Sequence, residues 1–143
     1  MRKLKSLTFI MFLCFFSEKA FSETVYVVVN EKNTDIISPE MVKLIYLDKN
    51  SVWSDGTEIL VFELPVKSEA REKFCQEVLN MSPISSQRYW SNRFVNNTIQ
   101  NEVKIKPHRL VTRFVSAKES AIGYIPESEI DNMQGVRIVM TIN

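Results

Sequence analysis

Glycine, cysteine and histidine are scarce in this chain, and each scarcity excludes a class of site. Three glycines among 143 residues leave no glycine-rich loop of the kind that cradles nucleotide phosphates. Of the two cysteines, only Cys75 lies outside the apolar start of the chain, so we expect no internal disulfide. The single histidine, His108, has no cysteine near it, so we expect no zinc site. No metal, cofactor or catalytic residue is therefore predicted.

Charge of one sign is not in excess either. The whole chain has 18 basic and 17 acidic residues, a formal net charge of +1. Four of the basic residues and one acidic residue precede position 23, so the rest of the chain has a net charge of −2. Proteins that bind nucleic acids usually present a strong positive excess. The composition therefore argues against a nucleic-acid partner.

Residues 1–22 have the three-part layout of a secretory signal peptide. A basic start at residues 1–5 precedes an apolar run at residues 7–16, and Ala20 and Ser22 are the small residues of a cleavage site. The apolar run is about half the ~20 residues that a membrane span needs, which disfavours an anchor helix. We predict cleavage after Ser22 and release into a bacterial periplasm. Residues 23–143 then form a single domain that does not span the membrane.

Strand-like and helix-like segments alternate along residues 23–143. Residues 24–29 (TVYVVV) and 58–63 (EILVFE) are typical of strands buried on both faces, as in a parallel sheet. Ser38-Pro39 and Ser82-Pro83 are typical helix starts, with a capping residue before proline. Further helices are predicted over residues 68–79 and from Pro107, and short strands at 103–105, 121–125 and 136–141. The order predicts an α/β domain with a mostly parallel or mixed sheet flanked by helices.

The segment between the second strand and its following helix is the best predicted site. Ligands of open α/β sheets gather where strands end and helices begin. The Ser68 hydroxyl and the N–H groups of the first helical turn can hold an oxyanion, and Lys67 and Arg71 can add positive charge. Glu69 would oppose an anion. The plainer interpretation keeps Ser68 as an ordinary helix cap and Arg71 as a solvated residue.

The sequence gives weaker support to a catalytic site than to this binding site. Ser85 or Ser86 with His108 and Asp131 supplies the residue types of a hydrolytic triad, but no nucleophile-elbow sequence surrounds either serine. Cys75 shares a helical face with Phe74, Val78 and Leu79, which predicts a buried core thiol.

Segments spread along residues 27–125 resemble, in their order, those of a known family. Residues 27–30, 38–49 and 53–56 look like V-V-V-N … L-S-x-E-x-L-x-x-I-F-L-G-K-x-x-x-W-x-D-G of the phosphate-type periplasmic substrate-binding proteins. Residues 63–74 look like the family's R-x-x-G-S-x-x-R-x-x-F, and residues 79–90 look like the L-G-x-S-P … Y-W of a short single-domain branch. Residues 121–125 (AIGYI) are similar to A-I-G-Y-V.

The resemblance implies one lobe of a type 2 periplasmic-binding-protein-like fold, a non-enzymatic role and an oxyanion ligand held at Ser68 and Arg71. Three family glycines are replaced here. Lys67 stands before Ser68, Asp48 follows the Ile-Tyr-Leu segment, and Asn96 falls in the glycine-rich turn, where asparagine tolerates positive φ.

Two functions remain open on this basis. The first is a secreted solute-binding-like protein for phosphate or a similar oxyanion, related to the substrate-binding proteins of ABC transporters. The second is a sensory or interaction module of the same fold, whose decayed ligand site leaves it to bind a protein partner or membrane receptor. Because one lobe exposes what would be the face between two lobes, a homodimer is compatible with either function.

Overall fold

The computed structural model of the protein describes residues 23–143, and the predicted signal peptide lies outside the described residues. Five strands form one mixed sheet in the order β3-β2-β4-β1-β5. The strands are β1 (Val25–Asn30), β2 (Leu60–Glu63), β3 (Glu102–Ile105), β4 (Ala121–Pro126) and β5 (Val136–Ile142). The predicted α/β class with helices flanking a mixed sheet is confirmed, and every predicted strand is present within a few residues.

The direction of β1 corrects one expectation. β2 runs parallel to both β3 and β4, whereas β1 runs antiparallel to β4 and to β5. The uniformly apolar sequence of β1 predicted a parallel strand. Five of its six residues are buried because elements cover both of its faces. Burial on both faces, and not strand direction, is what such a run indicates.

Four helices flank the sheet, and serine caps start three of them. They are α1 (Pro39–Tyr46), α2 (Glu69–Phe74), α3 (Pro83–Val95) and α4 (His108–Ala117). The hydroxyls of Ser38, Ser68 and Ser82 each accept a hydrogen bond from the backbone N–H three residues further on. The helix starts at 38–39 and 82–83 are therefore confirmed.

The helix predicted over residues 68–79 has two parts. α2 continues without a break into a π-helical turn over Cys75–Leu79, which ends at Asn80 in the left-handed region, with φ 53°. The predicted inward face is confirmed, since Phe74, Cys75, Val78 and Leu79 are all buried.

Of the three positions where the resemblance aligns a glycine, only Asp48 is left-handed, and the residue after the third position is left-handed as well. Asp48 has φ 57°, and Asn97 has φ 53°. The prediction that Asn96 makes the turn after α3 is wrong, because Asn96 has φ −82° and its neighbour Asn97 takes the left-handed conformation instead. Lys67 is not among the described residues with positive φ.

Gly123 lies where α4 packs most closely on the sheet. A Cβ atom at this position would approach Val111 Cγ1 to 2.7 Å and Val115 Cγ2 to 3.3 Å. Both valines are fully buried in the core. The glycine of the A-I-G-Y segment is therefore required by helix-to-sheet packing.

We expect Gly123→Ala to lower the free energy of unfolding by about 1–3 kcal/mol, as overpacking of a core does. Urea denaturation measures this. The double variant Gly123→Ala/Val111→Ala removes the closest clashing methyl group, so its loss should be smaller than the sum of the two single losses. Strict additivity of the two losses would contradict the close approach.

Candidate functional site

The strand ends at one edge of the sheet frame the predicted site. Because β2, β3 and β4 are parallel, their carboxyl ends meet at the same edge, where β1 begins. A cleft of about 390 Å³ opens there. Its lining is contributed by the chain start and the segments after these three strands: Glu23, Pro65, Ser68, Glu69, Ala70, Pro107, His108, Pro126 and Ser128. This edge is where ligands of open α/β sheets bind.

Three helical starts surround this carboxyl-edge cleft. α2 begins after Ser68, α4 begins at His108, and a 3₁₀-helix (Glu127–Asn132) begins directly after β4. The first N–H groups of a helix have no intrahelical acceptor and favour negative charge. One of them already holds an anionic group, because the N–H of Ser128 donates to Glu23 Oε1 at 2.7 Å. The backbone at this edge is thus arranged to receive carboxylate or oxyanion oxygens.

Charged side chains of both signs border the cleft. His108 Nδ1 lies 2.9 Å from Glu129 Oε1. Lys73 Nζ donates to the carbonyl oxygen of Glu23 at 2.9 Å. Glu69 is exposed at the first position of α2. The acidic side chains here oppose an incoming anion, so the backbone donors must supply much of the attraction.

The two predicted site residues that precede α2 lie at the surface. Ser68 is half-buried on the wall of the cleft, and its hydroxyl accepts the N–H of Arg71 at 3.4 Å. Lys67 is exposed directly before it. Ser68 therefore lines the cleft, whereas Lys67 is its exposed neighbour in the chain and is not part of the lining.

The third predicted residue, Arg71, lies in the interior. Its side chain is completely buried, and its Nη1 donates to the carbonyl oxygen of Leu64 at 2.7 Å and to Gln87 Oε1 at 3.2 Å. Nη2 donates to Ser86 Oγ at 3.4 Å, and Nε lies 3.5 Å from Glu63 Oε1. Through these contacts Arg71 holds in place the segment between β2 and α2, which contains Ser68. The solvated helical arginine of the plainer interpretation is wrong.

Glu63 is the counter-ion of Arg71. Its carboxyl group is buried, accepts the N–H of Leu64 at 3.0 Å and accepts a hydrogen bond from the Tyr124 hydroxyl. Burial raises the pKa of Glu63 above its usual value, and the attraction of Arg71 partly opposes that rise. Burial, followed by the charge of Glu63, also raises the pKa of Tyr124 well above 10. A carboxylate of this chain therefore already neutralises the guanidinium that the resemblance assigns to the ligand.

The residues of the imagined hydrolytic triad do not form one. Ser86 is buried against Arg71, while His108 lies at the carboxyl edge with Glu129 as its carboxylate partner. In the described range 23–143, no cluster of three or more histidine, cysteine, aspartate or glutamate side chains could hold a metal ion. Cys75 is fully buried, as predicted, and burial raises the pKa of its thiol.

A larger cleft, of about 680 Å³, lies at the opposite edge of the sheet. Four of its charged side chains form two ion pairs, Lys32–Glu119 and Lys104–Glu102, each at 3.1 Å. The indole of Trp53, which also lines it, donates to the carbonyl oxygen of Ser120. With four of its charged side chains paired internally, this cleft offers a ligand fewer free charges than its lining suggests.

Sequence reasoning included Glu63 at the start of the predicted site segment but missed Glu23, His108 and Ser128 as parts of the site region. His108 and Ser128 follow the ends of β3 and β4, and Glu23 precedes the start of β1, which are positions that the sequence indicates. Their grouping depends on which strands are parallel neighbours, and that was not evident from the pattern.

Comparison with solved structures finds the same fold in larger proteins that are named for phosphate transport or binding. The chain is similar to an ABC-type phosphate transport receptor from Vibrio cholerae (16 % identity, TM-score 0.59), of which it covers 46 %. It is also similar to a candidate phosphate ABC transporter substrate-binding protein from Clostridium perfringens, solved with bound phosphate (19 % identity, TM-score 0.59, 44 % covered). A third is a candidate phosphate-binding protein from Planctomyces limnophilus (16 % identity, TM-score 0.59, 42 % covered).

Each of these matches includes 82 % of this chain, which spans less than half the length of each neighbour. No protein-family model and no curated protein matches the sequence. At these identities the similarity shows the fold, that of a periplasmic-binding-protein-like lobe. Within residues 23–143, no helix is both long and apolar enough to cross a bilayer.

Proposed function

We propose that this protein is an exported solute-binding-like protein that takes phosphate or a similar oxyanion in the carboxyl-edge cleft. The role is binding, without catalysis. The proposal includes removal of residues 1–22 as a signal peptide and a periplasmic location for the remaining domain. Three structural neighbours that are named for phosphate transport or binding support the choice of ligand class.

The observation that carries the proposal is the N–H of Ser128 on the Glu23 carboxylate, in a cleft that three helical starts surround. A carboxylate and a phosphate present the same kind of oxygen acceptor to such donors. The starts of α2 and α4 lie on the same cleft, so an oxyanion there would meet the first-turn N–H groups of both.

The three predicted residues have different roles in this proposal. Ser68 offers its hydroxyl and positions the first turn of α2. Lys67, exposed beside it, adds positive charge at the rim. Arg71 acts indirectly, because its guanidinium is held inside by Glu63 and Leu64 and keeps the turn before Ser68 in place. Water remains in contact with an anion in a cleft of one lobe, so we expect millimolar affinity and strong salt dependence.

Calorimetric titration of inorganic phosphate at low ionic strength tests the proposal. Glu69→Gln removes a negative charge at the rim and should tighten binding about two- to fivefold. Lys67→Gln should weaken binding by a similar factor. Ser68→Ala should weaken it about tenfold, since one hydrogen bond is lost.

Ser38→Ala is the matched control, because Ser38 caps α1 in the same way and is not part of the cleft. Both serine variants should lose ~1 kcal/mol of stability through the cap, but only Ser68→Ala should lose affinity. Absence of saturable phosphate binding by the unaltered protein would reject the proposal.

One observation favours the partner-binding alternative. The Arg71 guanidinium, which the resemblance assigns to the ligand, has Glu63 as an internal counter-ion and no exposed surface. A module that recognises a protein partner or membrane receptor, or that pairs with a second copy of itself, needs no anion at this position. The phosphate titration separates the two functions.

A further inference from the structure

A second, mostly apolar groove lies between α3 and the edge strand β3, and it is separate from the carboxyl-edge cleft. Its volume is about 320 Å³, at the lower end of the range for small-molecule sites. The apolar part of its wall comes from Phe94, Val95, Ile99, Val103 and Ile105. Phe94 and Val95 are 72 % and 79 % exposed. Large apolar side chains exposed side by side at a groove are characteristic of ligand sites.

Glu63, Gln87, Trp90 and Ser91 complete the lining, and the two buried ones, Glu63 and Trp90, each have a polar atom without a partner. Glu63 is 1 % exposed and Trp90 is 5 % exposed. Within residues 23–143, Glu63 Oε2 accepts no hydrogen bond and Trp90 Nε1 donates none. Buried polar atoms are hydrogen-bonded in the large majority of cases, so these two point to a group from outside the chain. Arg71 Nε, Asn101 Oδ1 and Thr112 Oγ1 also lack hydrogen-bond partners, but those residues are not part of this groove.

Charge defines the class of that group. Glu63 is the sole ionisable residue of the groove lining in the described range, and Arg71 already neutralises it from behind. A second cation would therefore be in excess, and an anion would meet the Glu63 carboxylate. The free atoms need one donor for Oε2 and one acceptor for Nε1. A hydroxyl group supplies both.

We propose that the groove between α3 and β3 binds a neutral, mainly apolar small molecule whose hydroxyl group hydrogen-bonds with Glu63 and Trp90. The aromatic or branched body of the ligand contacts Phe94, Val95 and Ile105. This site is independent of the oxyanion site, so phosphate binding and occupancy of the groove can each fail without the other.

Benzyl alcohol is a suitable probe, and the indole N–H signals of a ¹⁵N-labelled sample report on it. Trp90→Phe assigns the Trp90 signal. The Trp90 signal should shift downfield and saturate as its N–H gains an acceptor. The Trp53 signal is an internal reference, because its N–H already donates to Ser120 at 2.9 Å and should not move.

Related probes test the chemistry. Ethylbenzene has a similar shape without the hydroxyl and should bind about tenfold more weakly. Benzoate should show no saturable binding, since its charge would face Glu63. Equal affinities for benzyl alcohol and ethylbenzene, or tighter binding of benzylammonium than of benzyl alcohol, would overturn the proposed ligand class.

Two variants on the same helix test the location. Ser91 is exposed and lines the groove, so Ser91→Phe should abolish the Trp90 response by filling the space. Asn92 is equally exposed on α3 but is not part of the lining, so Asn92→Phe should change affinity less than twofold. A Trp90 signal that ignores benzyl alcohol up to its solubility limit, or a response that survives Ser91→Phe, would overturn the site.

Discussion

Replacing Arg71 by methionine is expected to lower the free energy of unfolding by about 3–5 kcal/mol, because Glu63 is then left as a buried charge without its counter-ion. Methionine keeps much of the apolar volume, so the loss reports chiefly on charge and hydrogen bonding. Equilibrium urea denaturation measures it. The double variant Arg71→Met/Glu63→Gln removes both charges and should recover much of the loss. A single variant as stable as the unaltered protein would mean that the pair contributes nothing.

The free energy of unfolding of Arg71→Met should depend on pH in a defined direction. The pKa of Glu63 is already raised by burial, and the attraction of Arg71 opposes that rise. Without Arg71 the pKa rises further. A carboxyl group whose folded-state pKa exceeds its unfolded value binds more protons in the folded state. Its contribution to stability is then fully present below the unfolded pKa and is lost as pH rises toward the folded pKa.

Arg71→Met should therefore recover stability relative to the double variant when the pH is lowered from about 8 to about 5. The double variant is the control, since it has no carboxyl group at position 63 and retains every other titrating residue. Parallel stability curves for the two variants over this range would contradict a buried, charged Glu63.

Replacing Asp48 by glycine is the second large expected effect, about 3 kcal/mol or more of lost stability. The buried Asp48 carboxylate accepts the N–H groups of Gln100 and Asn101 at 2.9 and 2.7 Å, and it pairs with Arg93 Nε at 2.7 Å. Each hydrogen bond to a charged group contributes about 1.5–3 kcal/mol. Glycine suits the positive φ of this position but supplies no acceptor. Thermal or urea denaturation gives the measurement.

Two further variants separate the loss of the carboxylate acceptors from any effect of the left-handed backbone conformation. Asp48→Asn retains one side-chain carbonyl and tolerates positive φ. Its stability should therefore lie between that of the unaltered protein and that of the glycine variant. Asn80→Gly changes another left-handed residue, which is exposed, and should alter stability by about 0.5 kcal/mol or less. If Asp48→Gly also changed the free energy of unfolding this little, the hydrogen bonds of the Asp48 carboxylate would contribute nothing measurable to stability.

The Asp48 case also shows how far the resemblance could reach. The segment around it predicted glycine-like backbone geometry, and φ 57° agrees with this. The sequence contained no sign that this side chain would hold the segment after α3 from about 50 residues away. Hydrogen bonds between distant segments exist only once the chain has folded, and no local pattern encodes them.

The Arg71 case is similar. Its spacing from Ser68 correctly placed it in the helix after β2. A side chain three positions after Ser68 in the helix can face either the cleft or the core, and local spacing does not distinguish these two orientations. The deciding factor is Glu63, which lies in the sheet beneath and supplies the charge that makes full burial of a guanidinium tolerable.

By itself, the sequence determined the short-range features. Serine caps, proline at the first helical position and apolar runs act within a few residues, so helix starts, strand positions and the α/β class followed from them. Only the tertiary structure decided that β1 is antiparallel, that Arg71 is paired internally with Glu63, and that the starts of α2, α4 and the 3₁₀-helix share one cleft. These depend on backbone pairing and packing between segments far apart in the chain. A buried apolar run has the same composition whichever way its neighbours run.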